Sequence, residues 1–416
     1  MKVDFDKPLS IDKSSFIEVW EKSGNAHVLM LRPHGFGKSM FTELLDNYYD
    51  HSKSSEFQKN YGNTYIAGHP TRNKSNYRVL RISFGNLRGC AIDKFREEFS
   101  KDVCEGIQNF MKKNPDLEYE MDENFVNAPD FLLTSLCLNF TQQFPGEKIF
   151  LIIEDYDNFA YDVLFENKTE LCDVDMVRDF YNAIKSELNI VIGRTFITGV
   201  FPVSIGSLFD GMNSISNYST YKNYHDIVGF NEEDLSQFLD DRISFHGRKA
   251  KASKNIKRSD KSKEQLLSEL KTVAGGFVFS PHVSNSLYNS RNCEYYLHKE
   301  FSTGEDPLVK ERARYFQRLN TLLDLSDLPN KPQLLRDICH ERRIKINSIN
   351  NFLRLTLVKN YQQDELLSLL FYLGFLTIDS NSIKTVGSAA LVCPNMFVLD
   401  MFREYCRNKN IDIDYL

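Results

Sequence analysis

Residues 26–49 read AHVLMLRPHGFGKSMFTELLDNYY. Ala26 to Leu31 is a continuous apolar run, the mark of a strand buried on both faces. A turn containing Gly35 and Gly37 follows. Beyond it Met40, Leu44 and Tyr48 recur four apart, with Phe41 and Leu45 beside them, which gives a helix one apolar face. The order is strand, glycine-bearing turn, helix. Continuous apolar runs recur at 78–84 (RVLRISF), 148–153 (KIFLII) and 195–200 (TFITGV). With 26–31 they predict an α/β fold: a parallel sheet as the middle of three layers, with helices on both faces.

The rest of the chain bounds what that sheet can serve. At roughly 150 residues per domain, 416 residues suggest two or three domains. An apolar fraction of 42% with 26% charged residues is that of a globular chain with a real core. The 51 basic and 57 acidic side chains leave a net charge of −6, so no whole-molecule positive field draws in nucleic acid, and any such binding must be local. The N-terminus has no basic start leading into an apolar core, and no apolar run approaches the ~20 residues that span a bilayer. An intracellular place, cytoplasm or nucleus, with no membrane partner is therefore expected. Eight cysteines without a CxxC pair read as reduced thiols. Cys339 and His340 are adjacent on a helical pattern and point apart, so no metal cluster is expected there.

Residues 248–263 (RKAKASKNIKRSDKSK) carry eight Lys or Arg and one Asp. They cannot form a core element. They read either as a solvated flexible loop or as a sequence-independent phosphate-binding arm. From 306 to 376 helical periodicity dominates, and the helix 363–374 (QDELLSLLFYLG) stops at Gly374, suited to a left-handed cap. LTI (376–378) and ALVCP (390–394) then bracket a polar turn, as in a terminal hairpin. The expected division is 1–235 for the sheet domain, 236–300 for a helical extension with the basic loop 248–263, and 301–416 for a mostly helical, winged-helix-like domain.

A strand whose turn closes with Gly37-Lys38-Ser39 and opens a helix is the arrangement of a P-loop, where backbone N–H groups and the helix N-terminus wrap phosphates. Lys38 would neutralise the β and γ oxygens, Ser39 would ligate Mg2+ through its hydroxyl, and Gly37 admits the backbone approach that a Cβ would obstruct. The pattern is GxxxxGK[ST], and here Arg32 stands at the first glycine position while Gly35 supplies another flexible point. Arg32, Pro33, His34, Gly35, Phe36, Gly37, Lys38, Ser39 and Met40 are the expected nucleotide-binding residues.

Such a site also needs a carboxylate at the end of a neighbouring strand. The run IFLII leads into Glu154, Asp155 and Asp157, carboxylates that repel one another unless a cation is near. In the usual order an aspartate for the metal precedes a glutamate for the water; here Glu154 comes first and Asp155 second. A shift of roughly 1 Å can cost around a hundredfold in rate, so binding could survive while hydrolysis slows. Thr198, closing TFIT, is either the residue that positions the water or a satisfied strand-end threonine.

Taken together, IDKSSFI (11–17), RPHGFGKS (32–39), LIIEDYD (151–157), FITGVFPVSIGSLFDGMN (196–213), GFNEEDL (229–235), LLSLLFYLGFLTI (366–378) and CPN (393–395) resemble the AAA-ATPase-like family, whose P-loop domain is often fused to a C-terminal PD-(D/E)XK nuclease-like domain. The family's turn reads RPRRFGKS, so Arg32 is its habit, while His34 and Gly35 replace two of its arginines. Its second motif reads LIDEYD, and the Glu154-Asp155 order departs from that as well. Members with the nuclease continue well beyond the last of these motifs, and with Leu416 as its final residue this chain is expected to lack it. The resemblance implies an ATP-binding module with an appended helical or winged-helix-like part.

Two functions follow. In one, the chain is a weak Mg2+-dependent ATPase acting on the β–γ phosphoanhydride, whose nucleotide state, ATP or ADP, sets the posture of the C-terminal domain. Lys38 then serves phosphate charge, Ser39 and Glu154 the Mg2+, Asp155 and Thr198 the water, and Asp157 orients. In the other, the chain is a catalytically inert, nucleotide-gated module that engages protein or nucleic acid through residues 248–263 or the C-terminal domain. An oligomer is compatible with either.

Overall fold

The computed structural model describes residues 11–85, 87, 92–165, 173–203, 214–249, 259–302, 304–353, 361–380 and 389–413. The four apolar runs form β1 (His27–Leu31), β2 (Arg78–Ser83), β3 (Ile149–Glu154) and β4 (Ile192–Gly199). A short fifth strand, β5 (Ser216–Asn217), completes one sheet in the order β2-β3-β4-β1-β5, and every pairing within it is parallel. Every residue of β1 and β3 is buried, which is why both read as unbroken apolar runs.

Parallel neighbours need crossovers, and helices supply them. The first half holds α1 (Ser15–Lys22), α2 (Lys38–Tyr49), the short α3 (Ser54–Tyr61) and α4 (Tyr65–Gly68), α5 (Ile92–Lys113), α6 (Pro129–Gln143), α7 (Ala160–Phe165) and α8 (Val174–Glu187). Trp20 of α1 packs on Phe150 and Phe196 with centroids 5.8 and 5.4 Å apart, fixing α1 to β3 and β4. On α5, a Cβ at Gly106 would come within 2.8 Å of Ile82 Cγ1, so a glycine allows that helix to lie directly on β2.

The second half holds α9 (Glu232–Lys249), α10 (Lys263–Ala274), α11 (Ser290–Phe301), α12 (Pro307–Leu325), α13 (Lys331–Cys339), α14 (Gln363–Tyr372) and α15 (Met396–Asn408). Among them lies a small antiparallel sheet, β6 (Ile344–Ile346), β7 (Thr377–Ile378) and β8 (Ala389–Val392), in the order β6-β8-β7. Gly374, at φ +82°, ends α14 as its spacing suggested. The basic stretch 248–263 begins inside α9 and ends in the cap of α10, where Ser262 and Gln265 form a capping box. Its residues 250–258 lie outside the described residues.

One apolar cluster runs from the sheet into α12 to α15 without a break, and a second joins α9, α10, α11 and Leu308. Between the halves sits His225, buried, with Nδ1 accepting from the Phe279 N–H at 3.3 Å and Nε2 3.0 Å from the Asn285 carbonyl. Burial, reinforced by neighbouring Arg32 and opposed by Asp226, pushes this imidazole down to about 4. An unfolded histidine titrates near 6.5, so the unfolded chain takes up a proton first as the pH drops. The stability that neutral His225 gives is complete above about 6.5 and is lost towards pH 4, by roughly 3 kcal/mol. Urea unfolding between pH 4 and 7 measures it, and His225→Gln, which keeps a donor and an acceptor, should flatten that part of the curve.

Candidate nucleotide site

The strand order decides where the motifs meet. Because β4 lies between β1 and β3, Met30 pairs with Thr198, Leu31 with Gly199, and Ile153 with Ile197. The glycine-bearing turn after β1 and the carboxylates after β3 therefore flank the end of β4, at the carboxyl edge where open α/β sheets bind ligands.

Within the turn, Gly35 and Gly37 take left-handed backbone at φ +87° and +91°, and Gly37 caps the N-terminus of α2. A Cβ on Gly35 would lie 2.5 Å from Asn289 Oδ1 and 2.9 Å from Arg291 Cβ, so strain and contact both exclude one. The turn's carbonyls are occupied from outside. Asn289 Nδ2 and the Tyr315 hydroxyl donate to the His34 carbonyl at 2.8 and 3.0 Å, Ser290 Oγ and Arg291 N to that of Gly35 at 2.9 Å each, and Gly229 N to that of Phe36 at 2.7 Å. Phe36 itself is buried edge-on against Phe277 and Phe279, with centroids 5.1 and 5.2 Å away. Pro33 is buried beside Gly374, while Ser39 and Met40 are exposed at the start of α2.

Lys38 is buried, and its ammonium donates to the carbonyls of Arg32 at 2.8 Å and Pro33 at 3.3 Å. Burial pulls its pKa down to about 8 against the charges of Asp155 and Asp157. Its hydrogen bonds among the described residues stay within its own turn, and no carboxylate among them touches it directly. Arg32 differs from the expectation drawn for it. Its guanidinium is turned into the protein, donating to the carbonyls of Leu31, Ser219, Tyr224 and His225 at 2.7–3.1 Å and lying 4.3 Å over the Phe279 ring. Only its backbone belongs to the turn.

At the acidic edge, Asp157 is buried and accepts from the N–H groups of Val200 and Phe201 at 2.9 Å each, which fixes the chain leaving β4; burial raises it to about 6. Tyr156 does the same from its ring, donating to the Phe201 carbonyl and accepting from Val203 N. A Cβ on Gly199 would meet Asp157 Oδ1 at 2.4 Å, so a glycine there permits the close approach. Thr198 is buried at the strand end between the two motifs, and Asp155 holds a left-handed backbone, φ +51°. Glu154 is buried. The Thr42 hydroxyl, 2.9 Å from the Ser39 carbonyl, donates to its Oε1, and Arg81 of β2 donates to both its oxygens at 3.0 and 2.9 Å. Arg194, the arginine of TFITGV's leading edge, stacks over Trp20 at 4.5 Å at the opposite end of β4, away from these residues.

Residues 5–209 match the family model AAA-ATPase-like, described as a predicted AAA-ATPase. These residues belong to the AAA-ATPase-like family. No curated protein matches the chain. The AAA-ATPase-like segment thus contains the turn, the acidic edge and β4, whereas the donors described above to the carbonyls of His34, Gly35 and Phe36 come from beyond residue 209.

Membership implies nucleotide binding at a coarse level, commonly with Mg2+. The residues fit a triphosphate: the outward carbonyls of His34, Gly35 and Phe36 are engaged, Gly37 opens α2 in left-handed backbone, and a buried ammonium lies in the turn. They do not fit Mg2+ as arranged. Ser39, Glu154 and Asp155 are oxygen donors of the right type, but both Glu154 oxygens face a guanidinium. Sequence reading missed Arg81, although an arginine inside the apolar run RVLRISF needs a buried partner. It also missed Asn289, Ser290 and Tyr315, for which no local pattern exists.

Proposed function

We propose that the chain binds ATP at residues 32–40 and that occupancy of the turn is felt by α11, α12 and α14. The buried Lys38 ammonium, whose hydrogen bonds among the described residues go to carbonyls of its own turn, carries this reading, because a triphosphate adds direct anionic contacts to the more distant charges of Asp155 and Asp157. The contacts of His34, Gly35 and Phe36 with residues 229–315 support the second part, since any shift of the turn must be matched there. Titration with a fluorescent ATP analogue should saturate and be reversed by ATP and ADP; a flat titration sinks the proposal.

Hydrolysis on this reading is slow at most. The engaged Glu154 favours the inert, nucleotide-gated module over an active ATPase, with the partner, protein or nucleic acid, reached through the C-terminal half or the basic stretch 248–263. The reverse swap, Glu154→Asp together with Asp155→Glu, shortens the first carboxylate and lengthens the second. Turnover of ATP should rise by about tenfold or more. Unchanged turnover would show that these two carboxylates do not have the roles given to them.

A further inference from the structure

Resting on that nucleotide reading, the ion pair at the end of β3 points to a second property of the site. A carboxylate following this strand ordinarily shares a divalent cation with the first hydroxyl of the helix, here Ser39. Glutamate is one methylene longer than aspartate, and Glu154 reaches past Ser39 to Thr42, nearly one turn further into α2. On its other side a single nitrogen of Arg81, Nη2, donates to both carboxylate oxygens, at 3.0 and 2.9 Å. Thr42 and Arg81 thus satisfy and neutralise the buried carboxylate in place. A magnesium ion needs close to octahedral oxygen geometry, and a guanidinium on the same two oxygens both blocks and repels it. Arg81 keeps 32% of its side chain exposed and, with Ser83, Gly85 and Glu154, lines a cavity of about 710 Å³, so the pair has an open space at its side.

We propose that Arg81 is a positioning residue that stands in for the divalent cation: it fixes Glu154 against Thr42, so that nucleotide binds at Lys38 without Mg2+. The metal gains access to Glu154 only when Arg81 leaves it. This gives the site a resident cation carried by β2, and it makes the nucleotide-bound state insensitive to the supply of free metal.

The experiment is the fluorescent ATP-analogue titration of the whole chain in MgCl2 and in EDTA. For the natural chain the two affinities should agree within about threefold, since Glu154 is already neutralised. Arg81→Gln exposes the triphosphate to an uncompensated carboxylate, so its affinity in EDTA should fall by about tenfold or more and return when Mg2+ is added. Arg81→Lys, which keeps the charge, should behave as the natural chain does; a merely structural arginine would not yield this metal-dependent split. A natural chain that binds only with metal present overturns the proposal and leaves the nucleotide reading standing. Absence of binding in both buffers overturns the nucleotide reading itself. If Arg81→Gln does not fold, the comparison of the natural chain in the two buffers still decides.

Discussion

Lys38→Ala should abolish binding of the ATP analogue, with an expected loss of affinity of about a hundredfold or more, roughly 3 kcal/mol. The effect is this large because the ammonium is buried and would face the ligand in a site where water cannot replace it. Stability moves little by comparison, since the lysine's contacts are to carbonyls of its own turn. The same group sets a pH limit. With its pKa drawn down to about 8 in the free protein, Lys38 loses its proton as the pH rises through that value, and affinity for the anion should decline above pH 8. Unchanged affinity of the Lys38→Ala chain, measured by the same titration, would place the nucleotide elsewhere.

Gly276→Ala is expected to be the most damaging single substitution for stability. Gly276 lies at φ +86° in the segment that follows α10, and a Cβ there would come within 1.8 Å of the Pro394 carbonyl oxygen. That atom is backbone, held in a segment whose Asn395 donates to the Gly275 carbonyl at 2.7 Å and caps α15, so it cannot step aside. Left-handed strain and the overlap together cost roughly 3 kcal/mol or more. Urea unfolding should show the lowered midpoint. The change also reaches the nucleotide site, because Phe277 follows directly and packs on Phe36. A weaker affinity for the ATP analogue should therefore accompany the lost stability, and a midpoint equal to that of the natural chain would contradict the close approach.

The main strands were legible because burial on both faces leaves no room for polar alternation, so 26–31, 78–84 and 148–153 match β1, β2 and β3 to within a residue. β4 begins three residues earlier than the run 195–200 suggests, at Ile192, since glycine and arginine interrupt its apolar signal. β5 has no such signal. Ser216 and Asn217 are a strand only because Val28 and Leu29 pair with them. The same divide separates the site residues. Gly35, Gly37 and Lys38 announce themselves through local backbone demands, whereas the use of Arg32 depends on carbonyls at 219–225, and that of Glu154 on Arg81, neither of which any spacing in the sequence encodes.

Donors on Asn289, Ser290, Tyr315 and the backbone of Gly229 and Arg291 hold the outer side of the loop 34–36. A chain cut after the segment that defines the family would therefore carry every recognisable letter of the motif on a loop stripped of its mould, with Phe36 turned out to water. Such a fragment should precipitate or bind ligand poorly. Conversely, ligand added to the intact chain should protect amides as far away as α12 from hydrogen exchange, because loosening those helices means letting go of the loop.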